Sequence, residues 1–180
     1  SLVNIGIVYH DLDEKDRALE YQLEALKISE KDGDLLGAAT CLSNIANIHT
    51  SLKQYDRALE DSKRALELFR KVPEKRGVAS SLNNIGNIYL YQKDYANAEI
   101  YYRRSLETEK ETGSKSGIVL SMANIGEALR LQGKTREALP LFMEALTISE
   151  EIKFPRGVIS ASNYLGYAYT IRGDFKKAEA

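Results

Sequence analysis

The sequence predicts an all-α fold of repeated antiparallel helix pairs. Three observations carry that expectation: an internal period of 40 residues, apolar residues spaced by three and four within each period, and polar breaks that recur at two fixed phases. Shifting the chain by 40 superimposes SLVNIGIVY (1–9), CLSNIANIH (41–49), SLNNIGNIY (81–89), SMANIGEAL (121–129) and ASNYLGYAY (161–169) without a gap. DRALEYQLEAL (16–26), DRALEDSKRAL (56–66), ANAEIYYRRSL (96–106) and REALPLFMEAL (136–146) stack in the same way, and KKAEA (176–180) opens a further copy. The chain is therefore read as one array with repeats 1–40, 41–80, 81–120 and 121–160 and a partial repeat 161–180.

In each repeat a first helix comes first. In the third, Val78, Leu82, Ile85 and Tyr89 lie on one helical face. The short break Gln92–Asp94 follows, with Asp94 and Asp174 at helix N-cap positions and Gly133 and Gly173 in the turn just before them. A second helix then carries Tyr95, Ala98, Tyr102 and Leu106. Longer breaks close the repeats at Lys31–Asp34, Val72–Lys75, Thr112–Lys115 and Ile152–Pro155, and they accommodate Pro73 and Pro155. Pro140 falls about a turn and a half into a second helix, where its missing N–H predicts a local distortion. Small residues recur where paired helices must approach: Gly6, Ala46, Gly86, Gly126 and Gly166 on first helices, and Ala18, Ala58, Ala98, Ala138 and Ala178 on second helices. A single pair cannot bury its apolar stripe, whereas stacked neighbours can.

Composition narrows the function classes. Lys+Arg 25 against Asp+Glu 26 gives a net charge of -1, unlike the basic excess of nucleic-acid binders. Cys41 stands alone, so there is no disulfide framework, and a reducing, cytoplasmic setting is expected. No apolar run is long enough to span a bilayer, so no membrane association is expected. The chain opens on Ser1 and not Met, which suggests a piece of a longer protein.

Leu82-x-x-Ile85-Gly86-x-x-Tyr89, followed by Tyr95, Ala98, Tyr102 and Ser105, resembles the tetratricopeptide repeat, over essentially the whole chain. Two features depart from the usual pattern. The period is 40 residues where 34 is usual, and Leu or Met (Leu2, Leu42, Leu82, Met122) stands where Trp is frequent. The spacing resembles a subgroup with kinesin light chains, Pins-type adaptors, bacterial Rap-type receptors and bacterial sensory arrays. That resemblance implies a right-handed superhelical solenoid whose first helices line a concave groove, with an asparagine ladder gripping the backbone of an extended peptide.

Asn4, Asn44, Asn84 and Asn124 form such a ladder, and Tyr164 interrupts it. Helical spacing adds Arg76, Asn83, Asn87 and Tyr91 to the stripe of Asn84, Asn47 to that of Asn44, Glu127 to that of Asn124, and Arg156, Tyr167 and Ile171 to that of Tyr164. Asparagine is a poor helix former, so propensity alone does not favour these positions. Its amide both donates and accepts, which suits the backbone of any extended chain. Tyr91, Tyr164 and Tyr167 can anchor apolar groups, and Arg76 and Arg156 can pair with carboxylates. The alternative is structural: the repeating asparagine caps or bridges neighbouring repeats and touches no ligand.

No catalytic, metal or cofactor constellation emerges. His49 replaces a signature Tyr and reads as a packed core residue, and His10 has no partner at ligand spacing. Cys41 is about 12 Å along the helix from His49 and reads as a buried small residue. The segment GEALRLQGKT (126–135) has six residues between its glycines where a phosphate loop needs four. The function expected is thus a non-enzymatic scaffold for a protein or peptide partner, the adaptor or sensory part of a larger signalling protein. The alternative is a spacer or self-association element packing end to end, since neither end shows a polar capping face.

Overall fold

The computed structural model describes residues 1–173. Asp174, Ala178 and the segment 176–180 lie outside the described residues, as does the side chain of Ile171. Among the described residues there are nine helices and no strand: α1 (Leu2–Asp11), α2 (Lys15–Asp32), α3 (Leu35–Ser51), α4 (Tyr55–Lys71), α5 (Lys75–Tyr91), α6 (Tyr95–Thr112), α7 (Lys115–Leu131), α8 (Thr135–Glu151) and α9 (Pro155–Arg172). The fold is all-α, and each break lies at the phase expected.

The turns recur with the period, and their chemistry explains why. Position 13 of every repeat is left-handed: Asp13 (φ 63°), Lys53 (60°), Lys93 (63°), Gly133 (81°) and Gly173 (77°). Only the last two are glycine, so the other three hold a conformation that costs an L-residue about 1 kcal/mol. The longer break is left-handed at Gly33, Gly113 and Lys153. Pro73 occupies that register in the second repeat and cannot take a positive φ, and the residue before it is driven to extended backbone. Val72 accordingly sits at φ -118°, ψ 155°, and the chain enters α5 by a different path. Glu74 then caps α5, its Oε1 accepting from the Arg76 and Gly77 N–H groups. Asp34, Asp94 and Ser114 cap α3, α6 and α7 by accepting from the N–H three residues on.

The chain divides into two compact units, Ser1–Ile88 and Tyr89–Ala180, the division falling inside α5. In the first, α1, α2, α3 and α4 pack in sequence and α1 also touches α3. Its core gathers Ala25, Leu26, Cys41, Leu42, Ile45 and Phe69. In the second, α6 to α9 pack in sequence and α7 touches α9. Tyr102, Val119, Met122, Ile125, Leu129 and Phe142 lead its core. Cys41 is buried as expected, and burial raises its thiol pKa, which keeps it in the unreactive protonated form.

The close approaches fall at the small residues. Ala18, Ala58, Ala98 and Ala138 are wholly buried. A Cβ on Gly6 would come within 2.7 Å of Gln22 Nε2, and one on Gly126 within 2.8 Å of Phe142 Cζ. The same register in the second repeat holds Ala46 and Ser62, both buried. Glycine on the first helix thus faces a large side chain on the second, and alanine shares its register with a small one.

A second register shows three solutions to one packing problem. Tyr9 stacks on Tyr21 (5.3 Å) and Tyr89 on Tyr101 (5.4 Å). In the second repeat the corresponding residues are His49 and Asp61, joined at 2.8 Å from Nδ1 to Oδ2 and largely buried. In the fourth they are Leu129 and Leu141. His49 is a core residue, as expected, but a paired one. Burial raises the Asp61 pKa, against the opposing pull of His49.

Pro140, where a local distortion is expected, does not end the helix: α8 runs through it. Pro140 is the sixth residue of α8, so a single backbone bond to Arg136 is forfeited. Arg136 is exposed, and water can serve the carbonyl released.

Candidate functional site

The first-helix positions predicted for ligand contact fall into two groups, one in each unit. In the first unit α1 and α3 lie side by side and enclose an open cavity of about 170 Å³. Its wall takes Ile7 and His10 from α1 and Asn44, Asn47 and Ile48 from α3, with Gln22 of α2 also lining it. Gln22 is fully buried, and its Nε2 donates to the Val3 carbonyl at 3.0 Å. Its Oε1 accepts from Asn44 Nδ2 at 3.3 Å. Asn44 is therefore a bridge between repeats, the structural alternative stated above. Its Oδ1 remains as an acceptor on the cavity wall. Asn47 lines the same cavity and is exposed.

On α5, Asn83, Asn84 and Asn87 are half-buried, and Arg76 is exposed in the first turn. Among the described residues neither Asn47 nor Asn84 makes a side-chain hydrogen bond, whereas Asn83, Asn87 and Asn124 each have a partner.

In the second unit the predicted residues form a denser set. Asn124 and Glu127 stand half-buried on α7, Tyr164 and Tyr167 on the adjacent α9, and Tyr91 at the end of α5. Tyr91 and Tyr167 are 57% and 63% exposed, large rings open to solvent. Tyr164 is instead stacked on Phe142 at 5.1 Å and 20°, so it acts as a wall and not as a free anchor. Arg156 is exposed at the start of α9.

Glu127 does not present a free carboxylate. Arg130 donates to both its oxygens, Nε to Oε2 and Nη2 to Oε1, each at 2.7 Å. The Arg130 guanidinium also lies 6.0 Å from the centre of the Tyr167 ring. The bond to Glu127 pushes the Arg130 pKa up. Burial raises the pKa of the Tyr102 and Tyr164 phenols, and the Glu127 charge adds to the effect in both. Glu127, Arg130 and these rings are thus electrostatic neighbours.

Participants absent from the predicted set include Arg130, His10 and Gln22. Arg130 is signalled by the i,i+3 acid–base pair it makes with Glu127. Its register is that of His10, which lines the cavity of the first unit. Gln22 is signalled only by standing across from Gly6. Among the described residues no cluster of three or more His, Cys, Asp or Glu side chains has metal-binding geometry. No described helix is long and apolar enough to cross a membrane.

The family model described as tetratricopeptide repeat matches residues 37–111 and 117–180, and a second of the same description matches 1–31. No curated protein matches the sequence. Among solved structures, BtubC (BKLC) from P. vanneervenii is similar at 24% identity and TM-score 0.77, over 85% of this chain and 63% of that one. A Rap protein complexed with Competence and Sporulation Factor is similar at 21% identity and TM-score 0.82, over 98% of this chain and 50% of that one. YrrB, described as a TPR protein with an unusual peptide-binding site, is similar at 19% identity and TM-score 0.62, over 98% and 79%. The chain spans between half and two thirds of the first two.

Proposed function

Because the chain belongs to the tetratricopeptide repeat family, we propose that it is a protein-interaction scaffold whose first-helix faces hold an extended segment of a partner polypeptide. One observation carries the reading: the open cavity between α1 and α3, walled by the amides of Asn44 and Asn47 and the side chains of Ile7 and Ile48. Its volume of about 170 Å³ suits a single large side chain. Amides beside it can pair with the peptide groups on either side of that side chain, whatever the sequence. The complex of the Rap protein with its factor and the peptide-binding site named for YrrB support the reading by analogy of fold. The partners of this scaffold are proteins or peptides. It serves as the adaptor or sensory segment of a larger regulatory protein, and the lone, buried Cys41 suits a cytoplasmic setting.

The test separates ligand contact from architecture. Asn44→Ala would strip the buried Gln22 of a partner and weaken the fold, so Asn47→Ala and Asn84→Ala are the informative changes. Affinity capture from native lysate compares wild type with the Asn47→Ala/Asn84→Ala double variant, both shown to be folded by circular dichroism. A partner held by the wild type and lost by the variant supports the reading. Identical capture by both removes these amides from it.

A second reading rests on α1. Ile5 is 42% exposed, whereas Ile45, at the same register one repeat on, is 2% exposed. Val8 and Leu12 continue the exposed stripe. End-to-end pairing of copies would cover it. Light scattering across a dilution series, repeated with Val8→Glu, decides: a strict monomer at high concentration excludes self-association.

A further inference from the structure

We propose that Arg130 is a specificity residue of this scaffold, reading a carboxylate side chain, Asp or Glu, on the bound partner segment; this rests on the scaffold reading above. The Glu127 pair occupies one edge of the guanidinium, Nε and one N–H of Nη2. A guanidinium carries five N–H donors in a fixed plane. The second edge, both N–H groups of Nη1 and the remaining one of Nη2, makes no hydrogen bond among the described residues. That edge has the geometry to grip a second carboxylate through two parallel bonds.

The surroundings point to a binding role over a merely structural one. An i,i+3 ion pair on an exposed helix contributes little and is conformationally loose. Here both side chains are mostly buried, at 20% and 16% exposure, so the guanidinium is held in one orientation before any ligand arrives. Two rings that remain open, Tyr91 and Tyr167, belong to the same unit, and the Tyr167 ring lies against the guanidinium. Partly desolvated and flanked by aromatic surface, a charge-assisted bond is worth more than at an open surface. Glu127 cancels the charge of Arg130 at long range. The site therefore discriminates by contact geometry and does not attract acidic segments indiscriminately. Glu127 is a positioning residue, acting through Arg130.

The probe is a random nine-residue peptide library fused through its C-terminus to a phage coat protein, so that only side chains supply carboxylates. It is selected against the wild-type chain and against Glu127→Gln/Arg130→Gln, which removes the pair together and leaves no unpaired acid to repel the ligand. The wild type should enrich Asp or Glu at one position, and the double variant should enrich peptides without it. For a synthetic selected peptide, changing that acid to its amide should weaken wild-type binding by roughly 10- to 100-fold and leave the double variant indifferent. Arg130→Lys, charged but without the planar edge, should recover only part of the preference. Amidating the peptide C-terminus should change nothing; a loss there would transfer the contact to a terminal carboxylate and overturn the side-chain assignment. Enrichment without an acidic position, or an acid preference that survives in the double variant, overturns the role of Arg130 and leaves the scaffold reading standing. Failure of the wild type to enrich any peptide overturns both.

Discussion

The pairing of Gly126 with Phe142 makes the repeat packing testable as a coupling energy. A methyl on Gly126 would stand within 2.8 Å of Phe142 Cζ and 2.9 Å of Cδ1, with Cε1 nearer still. The ring has nowhere to withdraw: Phe142 is fully buried and stacked on Tyr164. Overpacking of this kind costs about 1–3 kcal/mol, and so close a contact with a rigid ring belongs in the upper half of that range. Alanine in place of glycine inside a helix returns about 0.5–1 kcal/mol. Gly126→Ala should therefore destabilise the protein by about 1–2.5 kcal/mol. In a Phe142→Ala background the ring is gone, at a cost of its own of about 3–5 kcal/mol. There the added methyl fills vacated space, and Gly126→Ala should stabilise by about 0.5–1 kcal/mol. The helix gain is common to both backgrounds, so the coupling between the two sites is the overpacking cost, about 2–3 kcal/mol, well beyond additivity. Urea unfolding followed by circular dichroism gives the four corners of the cycle. If Gly126→Ala is neutral in the wild type, or costs the same in both backgrounds, the glycine is not there to admit the ring.

Three further outcomes follow from the same kind of reasoning. Lys93→Gly relieves a left-handed lysine (φ 63°) at the register where Gly133 stands, and should raise stability by up to about 1 kcal/mol in urea unfolding; a loss would show the turn is not strained. His49→Phe leaves the largely buried Asp61 carboxylate unpaired and should destabilise by about 1–3 kcal/mol, whereas His49→Tyr/Asp61→Tyr, installing the ring pair of the first and third repeats, should recover most of it on thermal unfolding. Glu99, held by Gln132, Arg103 and Lys134, has its pKa lowered despite the opposing effect of burial. Its contribution is thus present above the ordinary glutamate range and lost as pH falls through the lower folded value. Glu99→Gln should flatten the acid limb of a stability–pH profile below about pH 4.5, and an unchanged limb would refute the coupling.

Much of the fold was legible because it depends on periodic, local signals. The 40-residue register located every break, and the small residues marked the crossings before any contact was known. What escaped detection depends on contacts between helices. His49 and Asp61 are 12 residues apart and on different helices, so neither predicts the other by helical spacing. Only the parallel departure of both from Tyr in one repeat signals the pair. Gln22 escaped for the same reason, and with it the bridging role of Asn44. The stripe through the ladder positions gave Glu127 as a ligand-facing acid, but its charge is answered by Arg130, which lies off that stripe. At Pro140 the one lost hydrogen bond does not break a helix held by the burial of Ala138, Leu139, Phe142 and Ala145.

The registers at the helix crossings and those on the first-helix faces obey different rules. At the crossings, glycine or alanine on one helix tracks the size of the residue on the other, so change at one requires change at both. At the Tyr9/Tyr21 register the chemistry changes outright, from stacked rings to a hydrogen-bonded His–Asp pair to two leucines, but always as a matched pair. On the first-helix faces such matching appears in the fourth repeat, between Glu127 and Arg130. One face register runs Ile7, Asn47, Asn87, Glu127 and Tyr167; the next, His10, Thr50, Leu90, Arg130 and Thr170. Mid-helix asparagine forfeits up to about 0.7 kcal/mol each. Faces that enclose a cavity in one unit and pre-orient a guanidinium in the other are where a partner segment would be read. That is why the interaction reading is tested at Asn47, and the acid preference at Arg130, rather than at the better aligned Asn44.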